Sequence, residues 1–555
     1  MFVQSGQEVI VPAFLGGAEM AFWKYILAFI FIKYEECSSF PQEPTISILN
    51  TIPHHEKLQE LIKILEGCGL KDVQSLKRSY LKKGNATCND GSPAGYYFRK
   101  SHGSKRWIVF LEGGWYCYDS TSCHTRWSRM KHLMSSKQWA DVRNIGGLLS
   151  PNPEDNPFWW NANHVFIPYC TSDAWSGRRQ APLLVKDGTQ FTFMGAIIVE
   201  QVIRELLQLG LGNASSLILA GSSAGGAGVM LNLESVQLQL QSYPNILVRG
   251  ISDSGWFLDR TPYPSHEDPM ASVETVKKGM IMWQGQIPQS CKKHYVSESW
   301  RCFFGYRLYP TLTAPLFVFQ WLFDEAQMTA DNVGAPVTKQ QWDYIHKMGD
   351  SLRSTFENVT SVFAPACISH SVLTKKYWQL LRIDDVSLPQ ALRCWELATQ
   401  DNETGLYQMH RMMADSPRNR RKHRRKHGNM RNNTKETSNN RLRKKNRRNR
   451  NKLRKNKQNG KKGKFHKGDT LRSSRQVEKG CNRKLVERCS WPQCNLSCPK
   501  LHNPFTGEEM DFIELLKSIG LDMKSVANAL GMDIQTLNNM DHKELLNLLT
   551  QQAKK

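Results

Sequence analysis

The chain has 555 residues and a formal net charge of +24, with 14 cysteines. The charge is confined: residues 418–479 hold 27 Lys and Arg against three acids, and the remainder carries 47 basic and 47 acidic residues. A protein basic throughout is thereby excluded; this is a neutral globular chain with one basic segment set into it.

The first twenty residues lack the pattern of a leader. A better one starts at Met20, where Lys24 precedes the apolar run Tyr25 to Ile32, which ends at Lys33. That run suits a signal peptide and is far too short to span a bilayer, so residues 1–36 are expected to be an N-terminal extension plus leader, with Met20 a candidate true start. Ten cysteines between Cys37 and Cys394 and four at Cys481, Cys489, Cys494 and Cys498 form two even sets, as disulfides outside the cytosol require. A zinc site at Cys481 to Cys498 is the alternative, disfavoured by irregular spacing and the leader. Sequons at Asn85, Asn213, Asn358, Asn402, Asn432 and Asn495 agree with a secretory route.

The spacing of Leu58, Leu61, Ile62 and Leu65 predicts a helix over 54–77, and 85–101 reads as a hairpin-like region. Trp107 to Leu111 is a strand that runs into Glu112-Gly-Gly-Trp-Tyr-Cys117, where two glycines free backbone N–H groups to line a cleft. Further strands are expected over Asn163–Cys170, Leu217–Ala220, Val248–Ile251, Pro315–Phe323 and Ser361–Ile368, with a helix over Phe193–Leu209. Alternation of strands and helices over this length gives the class α/β: an α/β-hydrolase-like, mostly parallel sheet within a catalytic domain spanning 37–415. Residues 416–480 lack the large apolar residues needed to offset chain entropy and are expected to be disordered. A Cys-rich disulfide segment (481–503) and a small helical C-terminal region (504–555) follow, the latter from Met510, Ile513 and Leu516, from Leu545, Leu546 and Leu549, and from a capping-box pattern at Asp541-x-x-Glu544.

Gly221-Ser-Ser-Ala-Gly225 fits G-x-S-x-G with Ser223 at its centre, between an apolar strand and a helical pattern. This is the context of a nucleophile elbow, a tight turn that leaves one hydroxyl clear at the sheet edge. A serine nucleophile needs a base for its proton, an acid to hold the base, and donors for the tetrahedral oxyanion. Asp324 follows the most apolar strand after Ser223, and His370 follows the next, giving the order Ser, Asp, His of α/β-hydrolases. Asp253, Asp259 and Asp343 remain rival acids, and His164 and His346 rival bases; His346 falls on a predicted surface helix over 340–349, where a solvated histidine is the default.

Five stretches carry a likeness: Glu112-Gly-Gly-Trp-Tyr-Cys117, Gly221-Ser-Ser-Ala-Gly-Gly226, Asp253-Ser-Gly-Trp-Phe257, Gln320-Trp-Leu-Phe-Asp-Glu-Ala-Gln327 and Ala364-Pro-Ala-Cys-Ile-Ser-His370. Over about 81–395 the chain closely resembles the pectin acetylesterase family, in its branch of secreted carboxylesterases that remove palmitoleate from Wnt proteins. The resemblance implies Ser223 as nucleophile, Asp324 as acid and His370 as base. It also implies an oxyanion hole from the N–H groups of Gly114, Trp115 and Ala224, and an acyl pocket at Tyr116, Phe257, Val276, Phe303 and Phe304. Independently of it, Phe257, Phe303 and Phe304 next to polar turn residues suit an apolar acyl chain better than a sugar. No metal or organic cofactor is expected, since side chains and backbone donors suffice for acyl transfer.

The rival function is a carbohydrate O-acetylesterase with the same triad; a non-catalytic binding scaffold is a second. The basic segment fits nucleic acid by charge alone, but a leader and disulfides place it among sulfated glycans. The expected partners are therefore lipidated Wnt proteins as substrate and heparan sulfate of glypican-type proteoglycans, with no nucleic acid, no transmembrane span and an extracellular location.

Overall fold

In the computed structural model the described residues are 75–400 and 481–502, with gaps at 83–84, 102, 186–187, 265–271, 334–337 and 491, and a few positions between 509 and 539. The leader, residues 54–74, the basic segment 416–480 and most of the C-terminal region therefore lie outside the described residues.

Ten strands form the central sheet: β1 (Leu76–Tyr80), β2 (Gly95–Arg99), β3 (Arg106–Leu111), β4 (Val142–Arg143), β5 (Asn163–Ile167), β6 (Ser216–Ser222), β7 (Leu247–Asp253), β8 (Leu316–Phe319), β9 (Val362–Ala364) and β10 (Lys484–Val486). Their spatial order is β10-β9-β8-β7-β6-β3-β5-β2-β1-β4. The seven strands from β10 to β5 run parallel, and β2, β1 and β4 close the other edge as antiparallel pairs. The parallel half is covered on both faces, which is why β6 is buried along all seven residues and β8 reads Leu-Phe-Val-Phe without a polar break. Helices α1 (Ser120–Arg129), α2 (Gly195–Gln208), α3 (Ala224–Gln239), α4 (Ser272–Met282), α5 (Glu325–Ala330) and α6 (Lys339–Thr355) flank it.

Register decides which residues meet at the carboxyl edge. Gly221 pairs with Leu111 on one side and Ser252 on the other, Ser222 with Asp253, and Asp253 with Phe319. Beyond that edge the chain forms a second, two-residue parallel ladder, with Phe323 opposite Ile368 and Asp324 opposite Ser369. Each apolar run taken from the sequence as one strand is thus two: Pro315–Phe323 breaks at Gln320, and Ser361–Ile368 breaks after Ala364.

Several expectations need correction. Leu76 and Lys77 belong to β1 rather than to a helix, because β1 pairs with β2 and covers the sheet edge. Met510 sits in a two-residue strand paired with Leu501, not on a helix; a helix is described at Ile534–Asn539. The Cys-rich segment is no appendage. Its strand β10 extends the sheet beside β9, and Cys367–Cys498 ties it to the loop before His370. Disulfides join Cys88–Cys170, Cys117–Cys123, Cys291–Cys302, Cys367–Cys498 and Cys489–Cys494, and no cysteine among the described residues is free. The zinc alternative thus gives way. Of the described sequons, Asn85, Asn213 and Asn358 are exposed, but Asn495 is buried and its amide donates to the Arg382 carbonyl and Glu487 Oε2, both at 2.7 Å. That asparagine is committed to the fold. Among the described residues no helix is long and apolar enough to cross a membrane.

Candidate active site

Ser223 stands between β6 and α3 with φ 59° and ψ −125°, a conformation that a serine holds only when its surroundings over-determine it. Small neighbours make the turn sterically feasible. A Cβ on Gly225 would lie 2.1 Å from the Leu111 carbonyl oxygen, and one on Gly113 would lie 2.9 Å from Ser223 Cβ. The Ser223 N–H donates to the Asp253 carbonyl at 2.7 Å, so the residue is gripped through its backbone while it lines the cleft.

Asp324 and His370 meet because the short ladder places Ser369 opposite Asp324. His370 Nδ1 lies 2.9 and 3.0 Å from the two carboxylate oxygens. Asp324 is 1% exposed and caps α5, accepting from the N–H groups of Ala326 and Gln327, while Gln320 Nε2 donates to its other oxygen at 3.1 Å. The carboxylate is therefore fixed in direction and kept as an acceptor. Burial of His370 works against its charged form, but the Asp324 charge and hydrogen bond, with Asp253 and Glu325 further away, raise its pKa above the ordinary histidine value.

Ser223 and His370 line one cleft of about 640 Å³, together with Gly113, Gly114, Trp115, Glu112, Arg143, Asn144 and Lys375. Ser223 makes no hydrogen bond to His370 in this structure; such contacts tighten when substrate binds. Gly114 (φ 146°) and Trp115 (φ 59°) turn the loop after β3 so that their N–H groups find no backbone acceptor among the described residues. The carbonyls of this loop are held instead: Arg126 Nη2 donates to Gly114 O at 2.5 Å and Trp175 Nε1 to Glu112 O at 2.9 Å. Ala224 opens the 16-residue helix α3 directly after Ser223, and its N–H likewise has no backbone acceptor among the described residues.

Trp115 also lines a second, narrow cavity of about 10 Å³. Tyr116, Phe257, Val276, Phe303 and Phe304 all line it, with Trp115, Leu258 and Ala330. Its rings pack on one another: Trp115 stacks on Tyr116 at 4.8 Å, and Phe303 meets Tyr116 edge-on at 5.9 Å and Phe304 at 5.7 Å. Tyr116 is buried; that burial pushes its pKa up to about 12, and its hydroxyl lies 3.1 Å from Thr275 Oγ1. Two disulfides frame the cavity, Cys117–Cys123 next to Tyr116 and Cys291–Cys302 next to Phe303.

The rivals are placed elsewhere or occupied. Asp259 binds Arg307 and Tyr306, and Asp343 pairs with Lys339 on the outer face of α6. His164 lies inside β5, fully buried, with Nε2 2.8 Å from the Trp159 carbonyl and Nδ1 2.9 Å from Arg99; burial and Arg99 press its pKa down to about 3. His346 is half-buried rather than solvated, since the segment after β10 covers α6 and the Ser490 carbonyl lies 3.2 Å from its Nδ1. Asp253 is the informative case. Its Oδ2 accepts from Ser222 Oγ and from the N–H groups of Val372 and Leu373, its Oδ1 accepts from Ser254 Oγ, and Ser254 Oγ in turn accepts from Ser371 N. It ties the serine turn to the loop that follows His370, a role that the sequence reading did not assign. Its position in Asp253-Ser-Gly, opposite the serine strand, was the available signal. Arg126, which orients the Gly114 loop, offered none: it is one polar residue on a polar helix. Among the described residues no group of three His, Cys, Asp or Glu is placed to hold a metal ion.

A family model described as Pectinacetylesterase matches residues 71–423. The palmitoleoyl-protein carboxylesterase NOTUM of Drosophila melanogaster is 45% identical, the match covering 86% of this chain and 87% of that protein. The Homo sapiens protein of the same name is 39% identical, over 90% of this chain and 89% of its own length. A crystal structure of the Wnt deacylase Notum from Drosophila superposes with a TM-score of 0.59 at 48% identity, covering 77% of this chain and 99% of that one. The chain belongs to the pectinacetylesterase family, in the Notum branch of palmitoleoyl-protein carboxylesterases.

Proposed function

We propose that this chain is a secreted serine carboxylesterase that removes the palmitoleoyl group from a serine of Wnt proteins and so restrains Wnt signalling. The observation that carries the reading is a Ser223 elbow and an Asp324–His370 pair at one cleft, which shares Trp115 with a ring-lined apolar cavity. The names of the relatives, palmitoleoyl-protein carboxylesterase and Wnt deacylase, support the acyl group and the acceptor protein.

The chemistry follows from the placement. Ser223 Oγ attacks the ester carbonyl while His370 Nε2 takes its proton; Asp324 holds the imidazole by Nδ1 and stabilises its positive charge. The tetrahedral oxyanion is held by the N–H groups of Gly114, Trp115 and Ala224. The Wnt serine oxygen leaves with the proton from His370, giving an acyl-Ser223 intermediate with its chain in the Tyr116, Phe257, Val276, Phe303 and Phe304 cavity. Water, deprotonated by the same histidine, releases the fatty acid. A carbohydrate O-acetylesterase would share the first steps but has no use for the apolar cavity.

Hydrolysis of a palmitoleoylated Wnt peptide, with Ser223→Ala as control, tests the reading: loss of fatty-acid release only in the variant supports it, and full activity in the variant defeats it.

The 24 excess positive charges of residues 418–479 act as a tether to heparan sulfate chains. Binding by counterion release weakens steeply with salt. Deletion of 418–479 therefore lowers the salt needed to elute the enzyme from heparin, with hydrolysis of a small soluble ester unchanged; undiminished heparin retention sinks the tether.

A further inference from the structure

One flank of the cleft serves none of the roles above. Its walls are Glu112 at the end of β3, Arg143 on the edge strand β4 with Asn144 and Ile145 behind it, and Thr374 and Lys375 on the loop that leaves His370. Trp115 is the lining residue that the two cavities share, so with the acyl chain of an ester in the apolar cavity the alcohol half is left to the cleft.

Arg143 is fixed before any ligand arrives. Its guanidinium lies over the Tyr97 ring at 5.1 Å and the Phe166 ring at 5.6 Å, and its side chain is 33% exposed. Stacking of this kind sets the plane of the fork without consuming its donors. Its contact with Glu112 Oε1, at 3.4 Å, is at the limit of a hydrogen bond. Glu112 divides its carboxylate between two donors, its Oε2 accepting from Tyr169 N at 2.8 Å while Oε1 faces Arg143. Lys375 is exposed and makes no ion pair among the described residues. Two cations facing one carboxylate leave this flank net positive, within a cleft of about 640 Å³, a size that receives an extended ligand.

We propose that Arg143, Asn144 and Lys375 form a subsite for the polypeptide that carries the acylated serine, one that prefers acidic side chains and backbone carbonyls beside that serine. The subsite rests on the deacylase reading and adds to it a specificity for the alcohol half of the ester. Because Lys375 lies five residues after His370, peptide bound here touches the same loop that carries the base.

The test compares three substrates with one octanoyl group: a chromogenic octanoate ester, an octanoyl-serine peptide with aspartates on both sides, and the same peptide with alanines. Variants are Lys375→Glu, an exposed change that leaves packing alone, and Arg143→Gln. For each, the ratio of kcat/KM on the acidic peptide to kcat/KM on the chromogenic ester is expected to fall about tenfold, through KM, as the loss of one close charge contact gives. The alanine peptide is expected to show a smaller fall, and added salt to narrow the wild-type preference for the acidic peptide. A ratio that stays constant in both variants overturns the subsite: equal losses mark Arg143 as a brace for β4, and no losses mark both residues as bystanders. Wild-type enzyme that cleaves the chromogenic ester but neither peptide would instead overturn the deacylase reading.

Discussion

The two cavities beside Trp115 differ in every physical respect. One is a cleft of about 640 Å³ at the carboxyl edge of the sheet, walled by backbone, charged side chains and His370. The other holds about 10 Å³ and is closed by rings packed on rings. An alcohol group can enter the first without rearrangement, whereas an acyl chain enters the second only by replacing ring–ring contacts with ring–chain contacts. Recognition of the two halves of an ester therefore rests on different forces: screened electrostatics on one side and apolar transfer on the other. The chemistry sits at the wall of the cleft, on Ser223 and His370, and should be indifferent to what either recognition surface prefers.

The largest expected effect tests that indifference. Ser223→Ala should abolish turnover of short and long esters alike, and Asp324→Asn or His370→Ala should each lower kcat by roughly 10⁴-fold, because triad members act as a unit. Stopped assays on acetate and octanoate esters with an unchanged melting temperature check this. A variant that loses only the long ester would mean that the chemistry and the acyl cavity are one site.

Asp253→Asn comes next. Two backbone N–H groups and the Ser222 hydroxyl converge on Asp253 Oδ2 and the Ser254 hydroxyl on Oδ1, so an amide either meets the N–H groups with its NH₂ or forces Ser254 to stop donating. The clash loosens the serine turn and the loop after His370 together, and kcat should fall about 100-fold on both ester classes, as misplacement of reacting groups by about 1 Å does. Unchanged kcat with lowered thermal stability would reduce Asp253 to a packing residue.

The reach of sequence reasoning follows the same line between local and long-range causes. Ser223 was legible because strand, turn and helix are contiguous and the glycines that permit the turn lie within the motif. Asp324 and His370 were legible as residues that follow apolar runs, although the runs are each broken in two and the ladder that joins the pair crosses 44 residues. His346 was misjudged as solvated because the chain that covers it is more than a hundred residues away. The same distance hid β10: a three-residue strand after a basic stretch has no period to read, and only pairing with β9 makes it a strand. The narrowness of the acyl cavity was not legible at all, since aromatic residues in sequence do not disclose whether they leave a space.

A smaller effect tests the apolar side. Turnover of an ester series from acetate upward should rise about fourfold per methylene, from roughly 0.8 kcal/mol of apolar transfer each, until the opened cavity is filled. Val276→Trp, placed on α4 against the rings, should flatten that rise while leaving acetate hydrolysis within about twofold, since a tryptophan there overfills a site that holds little space. A series peaking at acetate in the wild type would favour a carbohydrate esterase.

The smallest effect is a shift in pH, and it separates the chemistry from both cavities. His370 must be neutral to take the Ser223 proton, so activity rises with pH through its ionisation. Burial opposes its charge, but Asp324 outweighs burial and sets the folded pKa above the ordinary value near 6.5. The rising limb of kcat/KM should thus lie above that value for every ester, whichever cavity the ester exploits. Asp324→Asn removes the charge that raises it, and the residual activity should rise at lower pH. Linkage gives the matching stability term. A group whose pKa is raised on folding contributes stability that is complete below its unfolded pKa and is lost as pH rises through the folded one. The charged His370–Asp324 pair therefore supports the fold most where the enzyme is least active. Urea denaturation across this window should show wild-type stability declining as activity climbs, with the decline absent in Asp324→Asn. A limb that stays in place in that variant would mean that another group sets it, and that the His370–Asp324 contact has no part in the base.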